Sequence, residues 1–311
     1  MKQAIIDIGS NSMRLTLYEI DEQYFKILFR EKVMAGLAGY VEKGVLTKEG
    51  IECAYRGLSE FKETLDSLNI ENTAVFATAS LRNIVNTDEA IASLESSTGY
   101  KIEVISGEEE AMYGYFGAMH EHKIADGAIV DIGGASTEIV TLKEGRPTTA
   151  TSHGIGSLSL YRECVKNILP GKGSFTRLQN KIEERLNKNT LTDFGNELTL
   201  LCVGGTARAV MAIARKIYSL PDDCNEITGH QFKKICSLLF KADRNAANII
   251  LKTEPDRIHT LIPGLMILCR IFDILGCDKI IVSRYGVREG YLCQKILKND
   301  KNYTLIHKTG N

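Results

Sequence analysis

The sequence predicts an α/β protein of two related domains facing each other across a cleft, and three observations lead there. An apolar run that ends in aspartate and turns on glycine occurs at residues 5 to 15 (IIDIGSNSMRL) and returns at residues 129 to 140 (IVDIGGASTEIV). With an offset of 124, Asp7 falls on Asp131, Gly9 on Gly133, Ser12 on Ser136 and Arg14 on Glu138, which reads as one unit used twice. Each copy leads into the same order of strands and helices, as expected of a mixed sheet covered by helices. The 311 residues, 44% hydrophobic and 25% charged, suffice for two domains that each bury a core.

The first half opens with strand-like segments at 3–9, 14–20 and 24–32. A helix follows from Thr47, where Ile51, Ala54, Leu58, Phe61, Leu65 and Leu68 mark one face of a 3.6-residue period. Then come a strand at 73–79, a helix at 80–97, a strand at 101–106 and a helix from Gly107. The second half repeats the opening with strands near 126–133, 137–143 and 147–153. Helices near 157–167 and 174–188 precede the strand LTLLCVGG, the helix TARAVMAIARKIY follows it, and a mostly helical stretch from 230 to 276 leads to a last strand, KIIVSRYG, and a helix from Val287. The domains are expected at 1–120 and 121–311, joined through the helix after Glu110.

No run reaches the roughly 18 apolar residues of a membrane span, and the amino terminus enters a strand without a signal pattern, so a cytoplasmic protein with no membrane partner is expected. The eight cysteines include no CxxC pair and mostly sit among apolar residues, which favours buried thiols over zinc ligands. Charge is uneven: residues 1–120 carry 11 Lys and Arg against 19 Asp and Glu, a net −8, and residues 121–311 carry 27 against 20, a net +7. A positive half can attract a polyanion. Nucleic acid is not among the expected partners.

The glycine turns explain why an apolar strand ends in an acid. Gly, Ser and Asn leave backbone N–H groups uncovered, and a concave turn of such groups binds anions. Ser10, Asn11 and Ser12 in the first turn, and Gly133, Gly134, Ala135 and Ser136 in the second, are therefore candidate phosphate ligands, with Arg14 adding a planar charged fork. Asp7, Asp131 and Glu138 would repel phosphate directly. They can instead hold the waters of a Mg²⁺, or an equivalent Mn²⁺, that bridges phosphate oxygens. Neither turn has the GxxxxGK[ST] spacing or leads from strand into helix, which argues against a P-loop or a dinucleotide fold. A third element, VGGTARAV, places Gly204, Gly205 and Thr206 at a helix amino end, a further anion site, although close strand-to-helix packing explains it equally well.

In ISGEEEAMYGY three glutamates fan over about 200° of a helix start and cannot share one site. Ser106 and Glu109 form a capping box, and Glu108 complements the helix dipole. Glu110 is left without a structural task of its own and is the candidate for moving a proton; the alternative is that all three glutamates simply stabilise the helix start, where the helix dipole weakens a carboxylate as a base.

The segments DIGSNSMRL, ATASLRNIVN, ISGEEEA, DIGGASTE and SRYGVREG, in this order, resemble the Ppx/GppA family of exopolyphosphatases and guanosine pentaphosphate phosphatases, over nearly the whole chain from Asp7 to Glu289. The resemblance implies two ribonuclease-H-like domains of the actin, sugar kinase and Hsp70 superfamily. It also implies Mg²⁺-assisted hydrolysis of the terminal phosphoanhydride of polyphosphate or the 5′ γ-phosphate of pppGpp. By position it implies that Glu110 is the base, that Asp131 and Glu138 are metal-associated, that Ser10, Asn11, Ser12 and Arg14 belong to the first phosphate loop and Gly133 to the second, and that Arg82 is the arginine of the ATxxxR motif. A homodimer and the short form without a carboxy-terminal helical extension fit the same resemblance. Two positions depart from it: Ala135 stands where the family commonly has glycine, and Met112 where an arginine often follows.

Polyphosphate and pppGpp remain alternatives on these residues, with the positive second half tilting towards polyphosphate. A superfamily kinase acting on acetate or a sugar, a non-enzymatic polyphosphate or ppGpp sensor, and an actin-like filament protein are the further readings.

Overall fold

The structure is a computed structural model that describes residues 1–21, 24–186 and 198–297. The expected helix end at 188 and the final residues of the expected second domain lie outside these. The chain divides into two compact units, Met1–Glu110 with the residues from Tyr291 onward, and Ala111–Gly290.

The first unit holds a five-stranded sheet of β1 (Lys2–Ile8), β2 (Met13–Ile20), β3 (Phe25–Val33), β6 (Thr73–Ala77) and β7 (Ile102–Val104), in the order β3-β2-β1-β6-β7. The first three strands run antiparallel and the last two run parallel to β1. A two-stranded ribbon, β4 (Val41–Glu42) and β5 (Val45–Leu46), precedes α1 (Lys48–Ser67). The Thr47 hydroxyl caps α1 by accepting from the Gly50 amide, and the helix buries Ala54, Leu58, Phe61 and Leu65, the face that the spacing predicts. These pack on Ala4, Ile6 and Ile8 of β1 in one apolar cluster.

The expected helix at 80–97 is two helices, α2 (Ala79–Arg82) and α3 (Thr87–Thr98). The break has a cause: the Thr87 hydroxyl donates to the Leu81 and Ile84 carbonyls, and the Asn86 amide bonds both ways with the backbone of Leu46. A tertiary partner 40 residues away thus competes with helix continuation. Then follows α4 (Gly107–Glu121), whose residues from Ala111 belong to the second unit.

The second unit repeats the sheet as β10 (Arg146–His153), β9 (Thr137–Lys143), β8 (Gly127–Ile132), β11 (Leu198–Val203) and β13 (Cys277–Val282), and adds an edge strand, β12 (Glu226–Thr228). Three antiparallel strands followed by two parallel ones reproduce the first sheet's plan. The short β12 is not apparent in the sequence. Helices α5 (Ser157–Cys164), α6 (Lys172–Arg185), α7 (Gly204–Tyr218), α8 (Gly229–Leu239), α9 (Arg244–Thr253) and α10 (Leu261–Leu275) complete the unit, with the main core between the sheet and α7, α8 and α10. Ala111 and Ala118 of α4 pack with Ile129, Val140, Leu142 and Leu201 in a separate cluster.

The unit boundary differs from the expected 120/121. It falls inside α4 because the helix passes from one core to the other after Glu110, and the chain returns within α11 (Val287–Tyr291). Tyr291 then belongs to the first unit for physical reasons: its ring lies on Phe76, its hydroxyl donates to Glu103, and Lys295 pairs with the same carboxylate. The last expected strand ends at Val282, and Ser283 to Gly286 form a turn. No helix among the described residues is long and apolar enough to cross a membrane.

Candidate active site

In the first unit the candidate residues gather at the carboxyl ends of parallel β1, β6 and β7. Ile8 and Met13 close the hairpin, leaving residues 9–12 as the turn, and one pair further back Asp7 stands opposite Arg14. Register partners share a face of the sheet, so the acid and the cation are neighbours. The turn's carbonyls are held from behind: Ser10 O accepts from the Ala38 amide at 3.0 Å and Asn11 O from the Gly36 amide at 2.9 Å. Arg14 Nε donates to Ser12 Oγ at 3.2 Å. The Ser80 hydroxyl bonds the Ile8 carbonyl, which fixes the start of α2 at this edge.

Glu110 is buried, and Arg82 Nη1 donates to its Oε2 at 2.8 Å while also reaching the Ile105 carbonyl at 3.0 Å. The sequence left Glu110 without a partner; the structure supplies one. A guanidinium at this distance favours the charged carboxylate. Arg82, expected to bind phosphate, therefore also holds the candidate base. The neighbouring capping box is present as expected, with Ser106 N donating to Glu109 Oε2 at 2.8 Å and Glu109 N to Ser106 Oγ at 3.1 Å.

In the second unit, Ile132 and Thr137 close the hairpin and Asp131 stands opposite Glu138. The turn is again tied from behind, this time by a helix start. Gly133 O accepts from the Ser157 amide at 3.0 Å, and Gly134 O from the Leu158 and Ser159 amides at 2.9 Å each. Fixing the carbonyls towards α5 leaves the Gly134 and Ala135 amides with no hydrogen-bond acceptor among the described residues. Ala135 does not have a positive φ, so its methyl group is accommodated without strain. Gly156 is the position that demands glycine, since a Cβ there would lie 2.4 Å from Ala135 N. Glu138 is buried and accepts from the Ser152 hydroxyl at 2.7 Å.

Beside this turn β11 runs into α7, whose amino end has no side-chain cap and keeps its first amides open. Gly204 has φ 81°, and a Cβ on it would stand 2.2 Å from Asp131 Oδ1; one on Gly205 would stand 1.7 Å from Arg257 Nη2. Asp131, the α7 amino end and the Arg257 guanidinium are thus in mutual contact range. The Thr206 hydroxyl is buried here without a hydrogen-bond partner among the described residues.

Arg257 is the site residue that the sequence did not reveal. It sits on the single turn Pro255–Arg257 between α9 and α10 and has no counterpart in the repeat. Burial pulls its guanidinium pKa below the ordinary value, against the opposing effect of Glu254, Asp256 and Asp131. A desolvated cation beside an open helix amino end suits a phosphate oxygen.

Whether a divalent cation fits can be judged from the donors. Asp131 and Glu138 offer hard carboxylate oxygens on one face at adjacent positions, which suits Mg²⁺ or Mn²⁺ better than a soft metal. Among the described residues no group of three or more His, Cys, Asp or Glu side chains forms a metal site, so water and phosphate oxygens would complete the shell, as is usual for Mg²⁺. Asp7 has Arg14 as its cross-strand neighbour.

Comparison with known proteins shows the family. Residues 16–299 match the model of the Ppx/GppA phosphatase family. A Haemophilus influenzae protein provisionally named an exopolyphosphatase is 29% identical, covering 93% of this chain and 90% of its own. A Vibrio atlanticus guanosine-5′-triphosphate,3′-diphosphate pyrophosphatase is 30% identical over 92% of this chain but only 58% of its own length. Among solved structures, the Aquifex aeolicus member of the Ppx/GppA family superimposes with a TM-score of 0.77 at 27% identity, covering 97% of this chain and 99% of that one. An exopolyphosphatase from Cytophaga hutchinsonii gives a TM-score of 0.85 at 19% identity, covering 96% and 98%, and so speaks for the fold.

Proposed function

Because the chain belongs to the Ppx/GppA phosphatase family, we propose that it removes the terminal phosphate of a linear phosphoanhydride chain by direct attack of water, with inorganic polyphosphate as substrate and pppGpp as the alternative. The observation that carries this reading is the twice-used hairpin: carbonyls tied back in both turns and an acid at the strand end below each. Open amides, a helix amino end and partly buried Arg257 recognise phosphate oxygens irrespective of what lies further along the chain.

Glu110 orients the attacking water and accepts its proton as the water oxygen bonds to the terminal phosphorus and the bond to the bridging oxygen breaks. The ion pair with Arg82 holds the carboxylate in place, and phosphoryl transfer relies on positioning and charge stabilisation more than on base strength. Asp131 and Glu138 would hold a Mg²⁺, which when bound offsets negative charge on the phosphate oxygens. The Arg14 and Arg257 guanidinium groups supply fixed positive charge of their own.

Orthophosphate release from short polyphosphate, long polyphosphate and pppGpp, assayed side by side with Mg²⁺, tests the assignment. Release from polyphosphate is expected to dominate, and release from none of the three would defeat the proposal. Glu110→Gln should lower kcat by ~10²-fold or more with KM little changed. Unaltered turnover in that variant would remove Glu110 from the chemistry. Consumption of a nucleoside triphosphate only when acetate or a sugar is added would point to a kinase instead.

A further inference from the structure

Each hairpin has a third strand beside it, and the two third strands bring different chemistry to the same place. Register partners across three neighbouring strands form a row on one face of the sheet. In the first unit the row behind the turn reads Asp7, Arg14, Lys32 across β1, β2 and β3. In the second it reads Asp131, Glu138, Ser152 across β8, β9 and β10. The outermost place thus holds a cation beside an arginine in one unit and a short hydroxyl beside a glutamate in the other.

That hydroxyl is directed inward. Ser152 is exposed on the edge strand β10, yet its Oγ donates to Oε1 of buried Glu138 at 2.7 Å. Alternation puts Thr151 and His153 on the other face, where Thr151 Oγ1 and His153 Nε2 lie 3.1 Å apart. An edge strand lacks a partner on one side, but the chain just after Ser152 is anchored. The Thr137 hydroxyl donates to the Ile155 carbonyl at 2.6 Å, and Arg185 Nη1 donates to the Gly154 carbonyl at 3.3 Å while the same guanidinium pairs with Glu163. The serine is therefore held where its hydroxyl restrains the rotation of the carboxylate.

We propose that Ser152 is a positioning residue for the second turn, whose hydroxyl keeps the Glu138 carboxylate aimed for a divalent cation. The inference rests on the reading of Asp131 and Glu138 as cation-holding acids and adds the group that orients one of them. A hydrogen bond to a ligating carboxylate fixes its direction, and loss of such an outer partner weakens metal binding by about 10–100-fold. The neutral hydroxyl matters as much as its position. It donates to Glu138 without cancelling the negative charge that attracts the cation, whereas an ammonium at this place, as at Lys32 of the first row, would pair with the acid and compete with the metal.

Mn²⁺ binding to the full-length protein without substrate, read from the electron paramagnetic resonance signal of the free ion, tests this apart from turnover. Ser152→Thr keeps the hydroxyl, and Ser152→Val has the shape of threonine without it. The wild type and Ser152→Thr should bind Mn²⁺ alike, and Ser152→Val about 10-fold more weakly. The Mg²⁺ concentration for half-maximal phosphate release should rise by a similar factor in Ser152→Val, with kcat at saturating Mg²⁺ little changed. Equal affinity in the Val and Thr variants would overturn the role of the hydroxyl, whether both match the wild type or both fall below it. If Glu138→Gln still loses Mn²⁺ in that case, the cation reading stands without Ser152. A wild-type protein that binds no Mn²⁺ would end both.

Discussion

In the first unit the acid that ends β1 has an arginine across the hairpin; in the second, the acid that ends β8 has a glutamate there. The backbones are otherwise alike, with four-residue turns whose carbonyls are tied back to the protein. In the proposed function the first turn carries its own counter-charge for an anion. The second places two carboxylates side by side, an arrangement that disfavours phosphate until a cation joins it. The two copies of the bend thus differ in charge at a single register position, 14 in one copy and 138 in the other.

The largest expected effect tests this division directly. Glu138→Gln should lower kcat/KM by ~10²-fold at limiting Mg²⁺, because a bound cation is worth several kcal/mol of charge stabilisation, and excess Mg²⁺ should restore part of the loss. Arg14→Gln should raise KM by about tenfold, the scale of one charge-assisted hydrogen bond, with the Mg²⁺ requirement unmoved. Activity titrated against Mg²⁺ for both variants separates the two roles. Equal shifts in Mg²⁺ requirement would erase the proposed difference between the turns.

Next in size is a difference in steric tolerance. A Cβ on Gly9 would approach Ser12 O to 2.8 Å, while one on Gly133 would approach Ser136 O to 3.1 Å. Gly9→Ala should therefore cost about 1–3 kcal/mol of stability, and Gly133→Ala distinctly less, as read from urea denaturation midpoints. The reverse order would mean that the tie from α5 makes the second turn the stiffer of the two.

The repeat made most of this legible from sequence. Asp7 and Asp131, the turns after them and the strand order could be read because the same pattern occurs twice, and the Ser106–Glu109 box because capping is local. Contacts distant in sequence stayed hidden. Asn86 breaks a helix by bonding to Leu46, Arg82 reaches Glu110, and Arg257 joins Asp131 and Gly205 from an irregular turn without a repeat partner. No periodicity marks such residues, because their meaning comes only from what the fold places beside them.

The smallest effect concerns a partly buried acid outside the candidate site, which acts as a control for the acids of the turns. Glu121, at the end of α4, accepts from Ser283 Oγ at 2.8 Å, Arg284 N at 2.7 Å and Arg284 Nε at 2.5 Å. Burial pushes its carboxyl pKa up, but the hydrogen bonds from Arg284 and Ser283 outweigh this and leave it below the ordinary 4.5. A depressed carboxyl stabilises the fold above 4.5, and that contribution disappears as pH falls through its folded value. Glu121→Gln should cost on the order of 1 kcal/mol at neutral pH and flatten the part of the stability curve below 4.5. His122 provides the sign check, since burial lowers its pKa from 6.5 while Glu121, 3.6 Å away, raises it. Removing the Glu121 charge should lower the His122 value further, so more stability should be lost below pH 6.5 even as the lower limb flattens. Urea denaturation from pH 7 to 3.5 reads both limbs, and a variant whose two limbs flatten together would show that the acid and the imidazole are not coupled in this way.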